Sequence, residues 1–214
     1  MRREALVLSL LVIVVAAGVW GIYELTIPAR EFRGILLDPP VQAPDFTLLN
    51  RDGEPVSLSD FHGKVIVLSF LYSHCDDECH IIVAKFAEAA KEFQGTRSEA
   101  VVFVAVTVDP ERDTPERLRE YSRIFAYNGY YLTGAREALE EVWADYGILT
   151  QREELEEDEY YLVPTEGSLS TYGVLHPLKI LLIDEQGKVR STFLGVEFWL
   201  VEDLINDIDL LLSE

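Results

Sequence analysis

The feature that most constrains the fold is the segment Val65 to Tyr72, a strand-length run that is apolar apart from Ser69. A run without alternation is buried on both faces and belongs at the centre of a sheet. Within a few residues the pattern changes. From Ile81 to Phe93, the residues Ile82, Phe86, Ala89 and Phe93 fall on one face at helical spacing. Val101 to Val108 then repeats the buried-strand pattern.

The remaining elements read around this core. Ala43 to Leu48 starts a strand that turns at Arg51-Asp52-Gly53 into Pro55 to Leu58. Thr114-Pro115 is an N-cap followed by proline at the first helical position, which predicts a helix towards Phe125. A further helix runs from Ala135 to Tyr146 and stops at Gly147. Lys179 to Ile183 and Val189 to Phe193 flank the turn Asp184-Glu185-Gln186-Gly187 as a hairpin, and Val201 to Leu212 is an amphipathic helix. Strands alternating with helices, then a hairpin and a last helix, predict an α/β layered domain of thioredoxin type with an N-terminal strand extension. The 214 residues suffice for one such domain with accessories.

The amino terminus carries Arg2-Arg3 and then an apolar run from Ala5 to Tyr23. That is about nineteen residues, against the roughly twenty that span a hydrocarbon core. With the basic pair leading, residues 1–23 read as a single-pass transmembrane helix in the cell membrane, with the soluble domain on the extracytoplasmic side. The alternative is a cleaved signal peptide with Ala16-Ala17-Gly18 as cleavage site, but the run continues past it through Val19, Trp20 and Ile22. Residues 24–41 read as a tether, ending in Pro39-Pro40, and residues 42–214 as the folded domain.

A hydrophobic content of 49% with 26% charged residues excludes disorder for the body of the chain. The net charge of -20 excludes nucleic acid as a partner and suits a metal ion or a cationic protein. One acidic stretch, Gln151 to Tyr161, interrupts the strand and helix rhythm between Ile148 and His176. It reads as a solvated loop insertion, or as a docking surface for a basic partner.

The chemistry sits where the first buried strand meets its helix. The chain has two cysteines, Cys75 and Cys79, four positions apart at the expected helix start. There they share a face with Cα atoms about 6 Å apart, close enough for a disulfide or for joint chelation of one ion. The helix N-terminus favours the thiolate, while Asp76, Asp77 and Glu78 oppose it, and a bound cation deprotonates both thiols. A selective site needs a third ligand. Among the four histidines, His176 stands just before a core strand, in a loop that a thioredoxin-type fold turns towards the cysteines. Two soft thiolates and one imidazole suit copper, with zinc the rival if a fourth ligand is present. His74 and His80 read as exposed polar residues, and His62 as a turn residue.

Four pieces, in register, resemble one family. Tyr72-Ser73-His74-Cys75-Asp76-Asp77-Glu78-Cys79-His80 resembles the Y/F-T-x-C-P-x-x-C-P of the Sco/SenC proteins. Val108 to Pro115 is similar to their V-D-P-x-R-D-T-P and Leu132-Thr133-Gly134 to their L-T-G. Val174-Leu175-His176, followed by Leu182-Ile183-Asp184 and Gly187, resembles V-x-H-S…L-I-D-x-x-G. The resemblance implies a thioredoxin fold holding one copper, Cu(I) or Cu(II), on Cys75, Cys79 and His176, with Asp109 in support. It implies a metallochaperone that metallates or reduces the binuclear copper centre of cytochrome c oxidase. The implied partners are the copper-bearing subunit of that oxidase and other copper chaperones. Asp76 and His80 stand where the family has prolines, and Pro177 where it has serine. These departures make Asp76 and His80 candidate extra ligands, and allow His176-Pro177 to imitate the cis proline that faces the cysteines in thioredoxin-like proteins. The competing functions are a thiol-disulfide reductase that cycles Cys75 and Cys79, and a copper or redox sensor.

Overall fold

The computed structural model describes residues 13–18, 31–75, 78–125, 129–163, 167 and 169–214. The chain divides into two units, Met1–Glu31 and Phe32–Glu214. In the first, residues 13–18 are helical and exposed; the rest of the expected membrane span lies outside the described residues. No helix among the described residues is long and apolar enough to cross a membrane.

The second unit is built on one sheet. Its strands are β1 (Ile35–Gln42), β2 (Thr47–Asn50), β3 (Pro55–Ser57), β4 (Val65–Leu71), β5 (Val101–Thr107), β6 (Tyr130–Thr133), β11 (Lys179–Ile183) and β12 (Lys188–Leu194), in the order β1-β12-β11-β4-β5-β6-β2-β3. β4 runs parallel to β5 and antiparallel to β11, and β5 runs parallel to β6. Every residue of β4 and β5 is buried, which is why neither shows alternation in its sequence.

Four helices cover the sheet: α1 (Glu78–Glu92), α2 (Pro115–Ile124), α3 (Arg136–Asp145) and α4 (Val201–Leu211). α1 buries Ile82, Val83, Phe86 and Ala89 and packs beside α4, with Phe86 against Phe103 of β5 at a ring separation of 5.3 Å. Burial of Ile82, Val83 and Phe86 stabilises the fold by about 1.5–3 kcal/mol each relative to exposure. α2 starts as its sequence predicts, with Thr114 Oγ1 accepting from the Arg117 N–H and Pro115 at the first position. α3 ends at Gly147, whose φ of 66° is one that side-chain-bearing residues rarely adopt.

Two segments differ from their sequence reading. The second half of the expected tether is strand β1, paired antiparallel with β12 at the sheet edge. Pro39 and Pro40 disguised it, yet proline is compatible with an edge strand, and the register is interrupted between Leu36 and Val41. Just upstream, the Arg33 and Gly34 amides donate to the buried Asp207 carboxylate at 2.7 and 3.0 Å. A Cβ on Gly34 would stand 3.0 Å from the Phe193 ring and 3.1 Å from the Thr192 carbonyl, so any larger residue would have to displace them by a few tenths of an ångström.

The acidic stretch is the second difference. It opens with β7 (Gln151–Glu154), paired antiparallel with β10 (Tyr172–Leu175), while β8 (Tyr161–Leu162) pairs with β9 (Leu169–Ser170). All of β7 is exposed, so no apolar pattern announced it. Its strand character comes from β10, which turns Tyr172 and Val174 inward.

Candidate metal centre

The cysteines, the histidine and their supports gather at the carboxyl ends of the parallel strands, where open α/β sheets bind ligands. α1 begins at Glu78, so Cys79 lies in its first turn and Cys75 in the loop ahead of it. The Cys79 amide donates to Cys75 Sγ at 3.5 Å, so that sulfur satisfies one of the free donors of the helix N-terminus. No disulfide joins the pair. Cys75 is 7% exposed and Cys79 not at all.

His176 arrives from across the sheet. β11 opposes β4 with Ile180 facing Ser69, and continuing that register beyond the ladder sets His176 level with Ser73. The ring is half-buried, with Nε2 3.7 Å from Cys79 Sγ and Nδ1 3.3 Å from the Pro177 carbonyl. A carbonyl only accepts, so Nδ1 carries the proton and Nε2 turns its lone pair to the sulfur. Tyr72 packs edge-on against the ring at 5.8 Å. The His176–Pro177 bond is trans, since Asp38–Pro39 is the cis bond among the described residues, so the loop does not imitate a cis proline.

Burial sets the charge state of this pair. It lowers the imidazole from 6.5 to about 4, against a small opposing effect of the Pro177 carbonyl. It pushes the Cys79 thiol well above its ordinary value, and the Cys75 sulfur adds to the rise. Both shifts favour a neutral thiol donating to a neutral imidazole, the opposite of the thiolate–imidazolium pair of a cysteine nucleophile.

The donor set fits a soft metal. Metal–sulfur bonds of about 2.3 Å and metal–nitrogen bonds of about 2.0 Å at tetrahedral to trigonal angles place sulfur and nitrogen roughly 3.5–3.8 Å apart. The Cys79–His176 separation of 3.7 Å falls in that interval. Among the described residues no three His, Cys, Asp or Glu side chains form a ready-made cage. Instead the donors meet as two pairs that share Cys79, and Asp76 lies outside the described residues.

The other candidates fall elsewhere. Asp109 is buried and engaged by other groups: it pairs with Arg112 and accepts from the Tyr172 hydroxyl at 3.1 Å. His74, expected to be exposed, is 7% exposed, with Nδ1 3.1 Å from Ser73 Oγ. His80, also expected to be exposed, is half-buried, stacked on Phe125 and tilted against Tyr121. His80 follows its aromatic neighbours, whereas His74 is drawn in by the buried Ser73 and Asp113.

Sequence reasoning missed the network beneath the cysteine loop. Asp113, with no exposed surface, accepts from the Ser73 amide at 3.1 Å, from Ser73 Oγ at 2.5 Å and from Thr107 Oγ1 at 2.7 Å. Arg117 donates to Ser73 Oγ at 2.8 Å and to the Ser73 carbonyl at 3.3 Å. The signal available was Asp113, the third acid of Val108–Pro115, which is buried between the half-buried Arg112 and the exposed Thr114.

Fold and site together define a thioredoxin-like protein with a buried cysteine pair at its first helix and a histidine opposed to it from the loop between β10 and β11. The chain belongs to the SCO1/SenC family, whose sequence model matches residues 37–213. It is 36% identical over 118 residues to the mitochondrial SCO1 homolog 1 of Arabidopsis thaliana, an alignment covering 55% of this chain and 35% of that longer protein. Among solved structures it resembles copper-bound ScoI of Arabidopsis thaliana, with a TM-score of 0.68 and 27% identity over 81% of this chain and 99% of that one. It also resembles BsSco, a member of the Sco family of cytochrome c oxidase assembly proteins in which a disulfide switch has been identified. There the TM-score is 0.60 and the identity 25%, over 82% of this chain and 96% of the other.

Proposed function

We propose that this chain binds one copper ion through Cys75, Cys79 and His176 and delivers it during assembly of the binuclear copper centre of cytochrome c oxidase. The observation that carries the reading is the 3.7 Å approach of His176 Nε2 to Cys79 Sγ, between residues 97 positions apart. Bound copper supplies a transferable, redox-active ion held by soft ligands. The protein's part is to hold the thiols and imidazole together, shield Cys79 from water, and release the thiol protons as the ion binds. Membership of the family and the likeness to a copper-bound relative support the choice of metal. The apolar run over residues 5–23 supports attachment to the membrane with the domain outside the cytoplasm.

Equilibrium dialysis with metal analysis tests the ligand set. One copper per chain is expected, with Cys75→Ala, Cys79→Ala and His176→Ala each weakening binding by at least about tenfold. A His176→Ala variant that binds Cu(II) as tightly as the unaltered chain would sink the assignment.

A second reading, thiol-disulfide exchange, draws support from the unlinked, closely placed cysteines and from the BsSco switch. Exchange requires an attacking thiolate. Cys79 has no surface and a raised pKa, so Cys75 would be the attacking sulfur. Metal-free turnover that survives His176→Ala and fails in Cys75→Ala would favour it.

A further inference from the structure

The turn between β5 and α2 touches both halves of the site through two consecutive residues. Arg112 reaches chiefly the histidine side, though its guanidinium also lies 5.6 Å from the Tyr72 ring ahead of the cysteine loop. Its guanidinium lies 3.5 Å over the Tyr172 ring, and Nη1 donates to Ser170 Oγ at 2.7 Å and to the Tyr172 carbonyl at 3.1 Å. Its Nε pairs with Asp109, which in turn holds the Tyr172 hydroxyl. Tyr172 opens β10, the strand that runs directly into His176, and that strand is held further along by the Val174 amide on Tyr72 Oη at 3.3 Å. Asp113 reaches the cysteine side and, through Thr107 Oγ1 at 2.7 Å, the end of β5. It fixes the amide and hydroxyl of Ser73, two residues before Cys75, and Arg117 fixes the carbonyl of the same residue.

The turn is itself tightly bonded. The Asp113 amide donates to the Asp109 carbonyl at 2.9 Å, the Thr114 amide to the Arg112 carbonyl at 3.0 Å, and the Asp109 amide to Thr107 Oγ1 at 2.9 Å. Charged groups this deep are costly to leave unpaired, so neither arm shifts without breaking several bonds together.

We infer that Arg112 and Asp113 are positioning residues, the first bracing the histidine arm and the second the cysteine arm, so that this turn acts beside the direct Tyr72–Val174 contact in setting the Cys79–His176 separation. The inference rests on the ligand assignment above for what that separation serves; the separation itself is measurable without metal.

The test uses the full chain with Arg112→Gln, Arg112→Lys, Ser73→Ala and His176→Ala. Two readouts are taken: the His176 ring resonances and the Ser73 and Cys79 amides of the metal-free protein by NMR, and the nitrogen coupling of bound Cu(II) by electron paramagnetic resonance. Arg112→Gln is expected to shift or broaden the His176 ring signals while leaving the Cys79 amide in place. It should weaken Cu(II) binding on the order of tenfold and reduce the nitrogen coupling, as loss of an outer support does. Cu(I), held well by two thiolates, should change less. Added to His176→Ala, it should cost nothing further, because the two changes remove the same contact.

Ser73→Ala should do the converse, moving the Cys79 amide and weakening Cu(I) while sparing the ring. Should Arg112→Gln fail to fold, Arg112→Lys keeps the charge but not the flat fork on Tyr172, and is read the same way. Unchanged ring signals and nitrogen coupling in both Arg112 variants would overturn the inference. So would Arg112 and Ser73 variants that disturb both arms alike, the mark of general loosening. A His176→Ala chain that retains nitrogen coupling would instead overturn the ligand assignment, and the metal-free signals would still decide the role of the turn.

Discussion

The decisive pair at the scale of residues is Cys79 with His176, and its behaviour with pH follows from burial. The imidazole has a folded value of about 4 against 6.5 when unfolded, so between those values the unfolded chain holds more protons. The stabilising contribution of the neutral ring is therefore complete above pH 6.5 and is lost as pH falls towards 4, by at most about 3 kcal/mol. Urea unfolding of the metal-free protein should show this acid loss, and His176→Asn should remove it; equal losses in both would refute the shift. Copper binding near neutral pH should release protons from the thiols and none from His176, because Cys79 starts protonated and the ring does not. Affinity should therefore rise with pH, and calorimetry in buffers of different ionisation enthalpy counts the protons. Cys75, Cys79 and His176 were legible because soft donors at a strand-to-helix junction are scarce and chemically distinctive. Asp113 and Arg117 were not, since their importance lies in which backbone groups they reach, and that depends on contacts between distant parts of the chain.

For the elements, the core was readable and the periphery was not. β4, α1, β5, the β11–β12 hairpin and α4 carry their own burial patterns, and each forms within a few residues of its expected bounds. β1 and β7 take their structure from a partner strand, so their own sequences say little: one is marked by prolines, the other is exposed throughout. Asp207 shows how firmly the first is held. From a fully buried position on α4 it accepts from the Arg33 and Gly34 amides and from Ser191 Oγ at 3.2 Å. Asp207→Ala leaves those donors without an acceptor and should destabilise the fold by about 2–4 kcal/mol, with faster amide exchange at Arg33 and Gly34. Deleting residues 1–31 should leave the unfolding midpoint of the domain unchanged. Deleting residues 1–42 strips β1 and bares the β12 edge, so it should lower the midpoint and promote association. Equal midpoints for the two truncations would show that β1 adds nothing.

Across the whole molecule, charge and layout act together. A net charge of -20 draws cations from a distance, and the effect is screened over about 10 Å at moderate salt. Stopped-flow capture of Cu(II) should slow as ionic strength rises while the bound spectrum stays the same; a rate indifferent to salt would assign the acidity to solubility alone. The layout was foreseen from alternation of strands and helices, whereas the eight-strand width was not, because β6 is short and adds its edge to a hairpin already read as separate. Cys79 has no outward face, so if copper is held as proposed, an acceptor would have to approach it past Cys75 and His176. Cys79 would then be the last donor exposed to an incoming acceptor, and the one best placed to guard such an ion against loss to bulk water.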